Sequence, residues 1–363
     1  MIRKRPWLLI LMAGLLLLPG GMPRGEEADA NYRDLMKEGI RLHDAGDYDG
    51  ALEIYRRLLQ SHPDNGSLLY EMAYSTSAKG DYRESIALAE KALKKGAGDP
   101  AACYSLIGTD YDLLEEYGKG EKTFRQGIKR FPDSGILHFN LGINLARQQK
   151  NDEAIQELQE DIRLRPDHPG GWYSLATLAE AQNQKVRAFL AYVRFLTLQP
   201  ESSRSKEAAG KLWPLMFTGV EKGAAPTEDG KTQINITLPP PGPGKAADRR
   251  SAESVAMTMV AANRWVEEWE GRTDSQFFAH GLETLTQIFS EYDQNAGDRD
   301  PFWGLYADDY FKDARERGHM EAMAYDIRRS LGNPEEAKWL EEHSNAVAAY
   351  RAWSKGWKPP AAE

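Results

Sequence analysis

One pattern returns five times along this chain at a period of 34 residues, and a repeat that short restricts the fold to stacked copies of a single small unit. A small residue recurs at Gly39, Ala73, Gly108, Gly142 and Ala176, with separations of 34, 35, 34 and 34. Twelve positions after each stands a second small residue, at Ala51, Ser85, Gly120, Ala154 and Ala188. Four later come Tyr55, Ala89, Phe124, Leu158 and Tyr192. A proline closes four of the five copies, at Pro63, Pro132, Pro166 and Pro200. The extra residue that makes one spacing 35 falls between Lys95 and Pro100, where the proline slips into the following turn.

Each part of the pattern has a mechanical reason. Two antiparallel helices approach closely only where both carry small side chains, and larger residues then fill the space on either side. Proline ends the second helix because it lacks an N–H and restricts the residue before it. Over roughly residues 32–201 the chain resembles the tetratricopeptide repeat family, whose unit is a helix-turn-helix of 34 residues. The resemblance implies an all-α, right-handed superhelical solenoid in which helix A of each repeat lines the concave side and helix B the convex side.

The repeats are placed at 32–65, 66–99, 101–134, 135–168 and 169–201, within an array spanning 31–217. Glu38, at a position expected to be apolar, suits a terminal helix with no neighbour to cover it. Gly210 is in register for a sixth repeat, but the matching small position would be Lys222, so 203–217 is read as a single capping helix. At the twenty-seventh position, usually small, repeats 4 and 5 carry Asp161 and Phe195, which leaves packing there open.

Residues 1–30 read as an export signal: basic Arg3, Lys4 and Arg5, an apolar stretch from Trp7 to Leu18, then the small-x-small sequence Ala28-Asp-Ala30. The apolar run of twelve is shorter than a membrane-spanning helix requires, so cleavage and a periplasmic or extracellular location, without stable membrane insertion, are expected. The single cysteine, Cys103, falls inside a helix A and reads as a small buried hydrophobe. A net charge of −9 spread along the chain lacks the basic face that a nucleic-acid partner would need.

Between Gly219 and Arg250 the pattern stops, and Gly, Pro and Lys make 218–250 a linker in which Ile234, Ile236 and Leu238 alternate as a short strand would. Helical spacing returns over 251–357, ahead of a tail at 358–363. Val255, Met259, Ala262, Val266 and Trp269 form one stripe, and Phe278, Leu282, Leu285, Phe289 and Tyr292 another. Further helices are expected over 302–317, 320–331 and 335–357, the last opened by Asn333, Pro334 and Glu336 as cap, first-turn proline and capping-box acid. Six of the nine tryptophans lie in this region, enough aromatic bulk for a separate small core. It resembles an uncharacterised helical segment that follows such repeats in some bacterial exported proteins.

No catalytic, cofactor or metal constellation emerges from the sequence. The histidines have no company at ligand spacing, and Glu341-Glu342-His343 lacks the second histidine of a helical zinc site. Asp293 to Gly304 fails as a calcium loop because its glycine is one place early and its twelfth residue is not glutamate. Glu267 and Glu268 read as a solvated helix face.

Binding is the remaining mode. The family resemblance places Tyr70, Tyr74 and Ser77, then Ser105, Thr109 and Asp112, then Phe139, Ile143 and Arg147, and finally Tyr173, Thr177 and Glu180 along the groove. Such a surface suits an extended peptide that stacks on rings and hydrogen-bonds to hydroxyls. The family's carboxylate clamp for heat-shock chaperones is absent, since its places hold Met36, Ile40, Glu71, Ala102 and Leu106. The expectation is a non-catalytic scaffold for a protein or peptide partner. The alternatives are an enzyme acting on a cell-envelope polymer, with its site in the Trp-rich C-terminal region or at the domain interface, and a purely structural assembly subunit that uses its convex face.

Overall fold

Helices alternate along the chain at the spacing that the repeat demands. The structure, a computed structural model, describes residues 24–223, 232–237, 245–269, 271–295 and 301–358. Most of the export-signal stretch, much of the Gly/Pro-rich segment including Leu238, part of the calcium-like loop and residues 359–363 lie outside the described residues. Among the described residues the chain is all-α apart from one small strand pair. It divides into two compact units, Met1–Cys103 and Tyr104–Glu363.

The first unit holds two hairpins: α1 (Arg24–Asp44) with α2 (Tyr48–Ser61), and α3 (Gly66–Ala78) with α4 (Tyr82–Lys94). The unit boundary falls within α5 (Pro100–Leu113), whose first residue is the displaced proline. Asp47 and Asn65 cap α2 and α3, their side-chain oxygens accepting from the backbone N–H of Gly50 and Leu68, each at 3.0 Å. A Cβ added at Gly39 would run into the Tyr55 ring, so this ring packs directly on the glycine backbone. At the matching crossing in repeat 2, Ala73 and Ala89 are both fully buried. Cys103 is buried with Leu69, Ala92 and Ala97, and burial pushes its thiol up to about 11.

In the second unit α6 (Tyr117–Arg130), α7 (Gly135–Arg147), α8 (Asn151–Leu164), α9 (Pro169–Ala181) and α10 (Lys185–Leu198) continue the hairpins, closed by α11 (Ser203–Met216) in the capping place. Gly108 faces Phe124 and Gly142 faces Leu158 at the crossings. The turn from helix A to helix B enters the left-handed region at one register position throughout. Gly46 and Gly80 supply it in the first unit; Glu115 (φ 60°), Gln149 (φ 62°) and Asn183 (φ 57°) supply it in the second. The two departures at the twenty-seventh position are accommodated. Asp161 is fully buried against Arg165 and His168, and Phe195 is 1% exposed in the core.

Beyond α11 the short-strand signal is realised: β1 (Val220–Lys222) pairs antiparallel with β2 (Ile234–Ile236) in the register Val220 to Ile236. The helices α12 (Lys245–Ala262), α13 (Asp274–Asn295), α14 (Pro301–Trp303), α15 (Phe311–Glu316), α16 (Met320–Arg328), α17 (Pro334–Glu342) and α18 (Ser344–Gly356) follow, with Gly304–Tyr310 in π-helical form. Three expectations are corrected here. The stripe beginning at Val255 breaks because α12 ends at Ala262; Met259 and Val266 are exposed, and Met257, Val260 and Ala261 are buried instead. The single helix over 335–357 is interrupted at His343, whose ring stacks on Trp339 and whose Nδ1 bonds the Trp339 carbonyl at 2.9 Å. Asn333 does cap α17, but Glu336 turns inward to Arg328 and Ser275 rather than back to the cap.

The C-terminal aromatics also do not make a core of their own. One continuous hydrophobic cluster runs from Ile155 and Leu158 through α9, α10 and α11 to Phe278, Tyr310, Met323 and Tyr350. Helix α10 explains this: Val186 and every residue from Ala188 to Leu196 is buried, so it is covered on both sides. The helices α12, α16 and α18 pack on α10, and α12 and α16 also reach α11. Trp172 (1% exposed) meets Tyr306 edge-on at 4.8 Å, and the Tyr306 hydroxyl donates to the Ile162 carbonyl at 3.1 Å. The added helices therefore pack on helix B of repeat 5, reach the buried side of its helix A at Trp172, and touch helix B of repeat 4 at Ile162.

Candidate functional site

Helix A of each repeat presents successive turns on one face, because residues four apart along a helix stand one above the other. In the first unit that face carries a ring ladder. Tyr70 and Tyr74 lie parallel with centroids 6.2 Å apart and 6° between planes, and His43 of α1 stacks on Tyr74 at 4.6 Å. The ladder is held from below, since His43 Nδ1 and the buried Ser75 Oγ are hydrogen-bonded at 2.8 Å. Tyr74 is 46% exposed and Ile40, one turn before His43, is 40% exposed. Tyr70 is half-buried, and burial together with Glu71 pushes its hydroxyl up to about 12. The site thus has wet aromatic surface on a rigid support.

In the second unit the predicted residues divide by what they touch. Ser105 and Thr109 on α5 both accept from Asn140 Nδ2 on α7, at 2.8 and 3.5 Å. Asp112 is buried and receives Asn144 Nδ2 at 2.5 Å, with the Arg147 guanidinium 3.8 Å away. Burial raises its pKa, while Asn144 and Arg147 act in the opposite sense. These side chains tie α5 to α7, so Asp112 is committed to packing and Ser105 and Thr109 are only half-buried neighbours of that contact.

Phe139, Ile143 and Tyr173 are partly buried against the large cluster, which leaves one side of each to solvent. Phe139 meets His168 edge-on at 4.8 Å, and Tyr173 lies beneath the Arg204 guanidinium at 5.5 Å. Thr177 is exposed, and its hydroxyl donates to the Tyr173 carbonyl at 2.9 Å. At the end of the face, Lys211 Nζ donates to Glu180 Oε2 at 2.8 Å and to the Tyr192 hydroxyl at 3.1 Å, joining the cap to repeat 5. Of the ten candidates, therefore, Tyr74, Arg147 and Thr177 are exposed, Asp112 is buried, and the other six are half-buried.

Sequence reasoning passed over His43, Asp44, Asn140 and Asn144. All four lie on helix A of their repeats; His43 shares its register position with Ser77 and Asp112, Asp44 shares its own with Arg147, and Asn140 and Asn144 share none with the groove residues singled out. Among the described residues no group of three or more His, Cys, Asp or Glu is arranged to hold a metal ion. Nor, among them, is any helix long and apolar enough to cross a membrane.

Comparison with known proteins agrees with the repeat geometry. Tetratricopeptide repeat family models match residues 42–107, 105–169 and 143–203, so this stretch carries tetratricopeptide repeats. Human protein O-mannosyl-transferase TMTC1 is 28% identical over 178 residues, which is 48% of this chain and 20% of that protein. The mouse protein of the same name is 27% identical over 114 residues, 30% of this chain and 12% of its own length. The chain thus spans a fifth or less of these curated relatives. Among solved structures, TTC0263, a tetratricopeptide repeat protein of Thermus thermophilus, is 18% identical with a TM-score of 0.43, covering 51% of this chain and 98% of its own. YrrB, described as a tetratricopeptide repeat protein with an unusual peptide-binding site, is 19% identical with a TM-score of 0.37, covering 48% and 90%.

Proposed function

We propose that this chain is a non-catalytic scaffold that holds a protein or peptide segment against the helix A faces of its repeats, after export directed by residues 1–30. The observation that carries this reading is the placement of the C-terminal helices. Within the second unit they pack on α10 and α11, the B helix of repeat 5 and the cap, while Arg147 and Thr177 on its helix A faces stay exposed; in the first unit Tyr74 is exposed as well. Exposed helix A positions, with rings already held in place in the first unit, offer contact area at low ordering cost. The same packing weighs against the use of the convex side in repeat 5, because helix α10 is already covered. The transferase activity named in the mammalian relatives is not carried over, since most of their length has no counterpart here.

A photo-crosslinking amino acid tests the reading. Placed at Tyr74 or Phe139 in intact cells it should yield a discrete adduct that is absent when the probe stands at Lys122, exposed on helix B. Tyr74→Ala combined with Phe139→Ala should abolish capture of the same adduct partner with far-UV circular dichroism unchanged. Adducts from Lys122 alone, or capture retained by the double variant, would move the site elsewhere.

A further inference from the structure

The ring ladder of the first unit stands beside two carboxylates that have no cation. Glu71 lies on α3 between Tyr70 and Tyr74 in sequence and is half-buried; Asp44, at the end of α1, is exposed. Among the described residues neither forms an ion pair or a hydrogen bond, whereas nearby charges are committed elsewhere: Arg41 to Glu38, and Lys79 to Asp49 at 2.5 Å. Burial, and after it the repulsion of Asp44, raises the Glu71 pKa, which is how two like charges facing one space without a counterion behave. Tyr55, in the adjoining hairpin, is fully buried. Its pKa is pushed up by burial, then by Glu71 and more weakly by Asp44, with Ser75 acting in the opposite sense. The two carboxylates therefore stand beside an exposed aromatic face, where His43 stacks on Tyr74, with no lysine or arginine paired to either among the described residues.

We propose that this face receives an arginine side chain of an extended partner peptide, its guanidinium between Asp44 and Glu71 and its flat side on Tyr74. The inference rests on the scaffold reading and names the chemistry that such a partner must carry. Arginine fits better than lysine because a planar, weakly hydrated guanidinium can stack on a ring and donate to two carboxylates at once. Ile40, exposed one turn away, is placed to take the apolar neighbour of that arginine.

The probe is a fluorescein-labelled, acetylated Gly/Ser decapeptide with one central arginine, compared with the same peptide carrying citrulline, its neutral isostere. Binding to the full chain is followed by fluorescence anisotropy at two salt concentrations. The arginine peptide should bind about tenfold more tightly than the citrulline peptide at low salt, with the margin shrinking as salt rises. Asp44→Asn with Glu71→Gln preserves shape and should erase that margin. Tyr74→Ala, at an exposed position, should weaken the arginine peptide about three- to tenfold. Equal binding of the two peptides, or a margin that survives in the double variant, overturns the arginine inference. So does a lack of binding by the arginine peptide. None of these outcomes touches the scaffold reading, which stands or falls on the crosslinking contrast between Tyr74 and Lys122.

Discussion

Replacing Glu336 by Gln should destabilise the second unit far more than its single lost charge suggests. The Glu336 carboxylate is fully buried and faces Arg328 at 2.8 Å, whose side chain is 10% exposed. Ser275 Oγ donates to the same oxygen at 2.6 Å, and the Arg328 guanidinium lies 4.9 Å from the Phe278 ring and 5.6 Å from Trp213. Because Trp213 belongs to α11 and Glu336 to α17, this pair sits where the cap meets the C-terminal helices. Glu336→Gln keeps the volume but strands a guanidinium among rings, at a cost of about 3–5 kcal/mol. With an m-value near 3 kcal/mol/M, the urea midpoint would fall by about 1–1.7 M. Removing both charges with Arg328→Met and Glu336→Leu should return stability to within about 1 kcal/mol of the parent. A single variant costing less than about 1 kcal/mol would refute the reasoning, since it would mean that water reaches the pair.

Two further outcomes follow from local geometry. Gln149→Gly relieves a side chain held at φ 62°; the left-handed penalty of about 1–2 kcal/mol, less the extra entropy of glycine, leaves a gain of about 0.5–1 kcal/mol in urea unfolding. Burial lowers the pKa of His138, but Glu157 at 2.7 Å and the Pro132 carbonyl at 3.0 Å favour its charged form and the net shift is upward. That stabilisation is complete below the unfolded value near 6.5 and is lost as pH rises through the folded one, so His138→Gln should flatten the decline of stability above neutrality.

The repeats were legible because their spacing is set by backbone contact. Gly39, Gly108 and Gly142 have to be small where Tyr55, Phe124 and Leu158 cross them, and such a constraint leaves a mark at every copy. The placement of the C-terminal helices was legible only in part. Helix α10 reads Val-Arg-Ala-Phe-Leu-Ala-Tyr-Val-Arg-Phe-Leu from residue 186, apolar on both sides, and that is the signature of a helix covered on both faces. The buried Arg194 within it hid the signal, since an arginine ordinarily marks a wet face. Here its guanidinium lies 4.3 Å from the Tyr310 ring and bonds Ser354 at 3.2 Å. Periodicity alone failed at Met259 and Val266 because a stripe can continue in sequence after the helix that would carry it has ended. At the candidate site, helix register located the face but not the depth of each residue, which depends on partners one repeat away.

Asp112 shows what that depth decides. An acid at a groove position can contact a ligand or hold neighbouring helices together, and the two roles make opposite demands. Contact with a ligand needs exposure, whereas Asp112 is 6% exposed and takes the amide of Asn144, which also donates to the Tyr117 carbonyl at 2.9 Å. Gly120 is confined by the same pair, since an added Cβ there would meet both Asp112 and Asn144. Asp112→Ala should thus cost about 1–3 kcal/mol of stability by opening a polar contact that is already closed to water. Asn144→Ala should cost a similar amount, because it leaves the buried carboxylate with only Arg147 at 3.8 Å. Neither should weaken capture at Tyr74 under conditions where the variant remains folded. Capture lost by Asp112→Ala with an unchanged urea midpoint would instead make this carboxylate part of the binding surface.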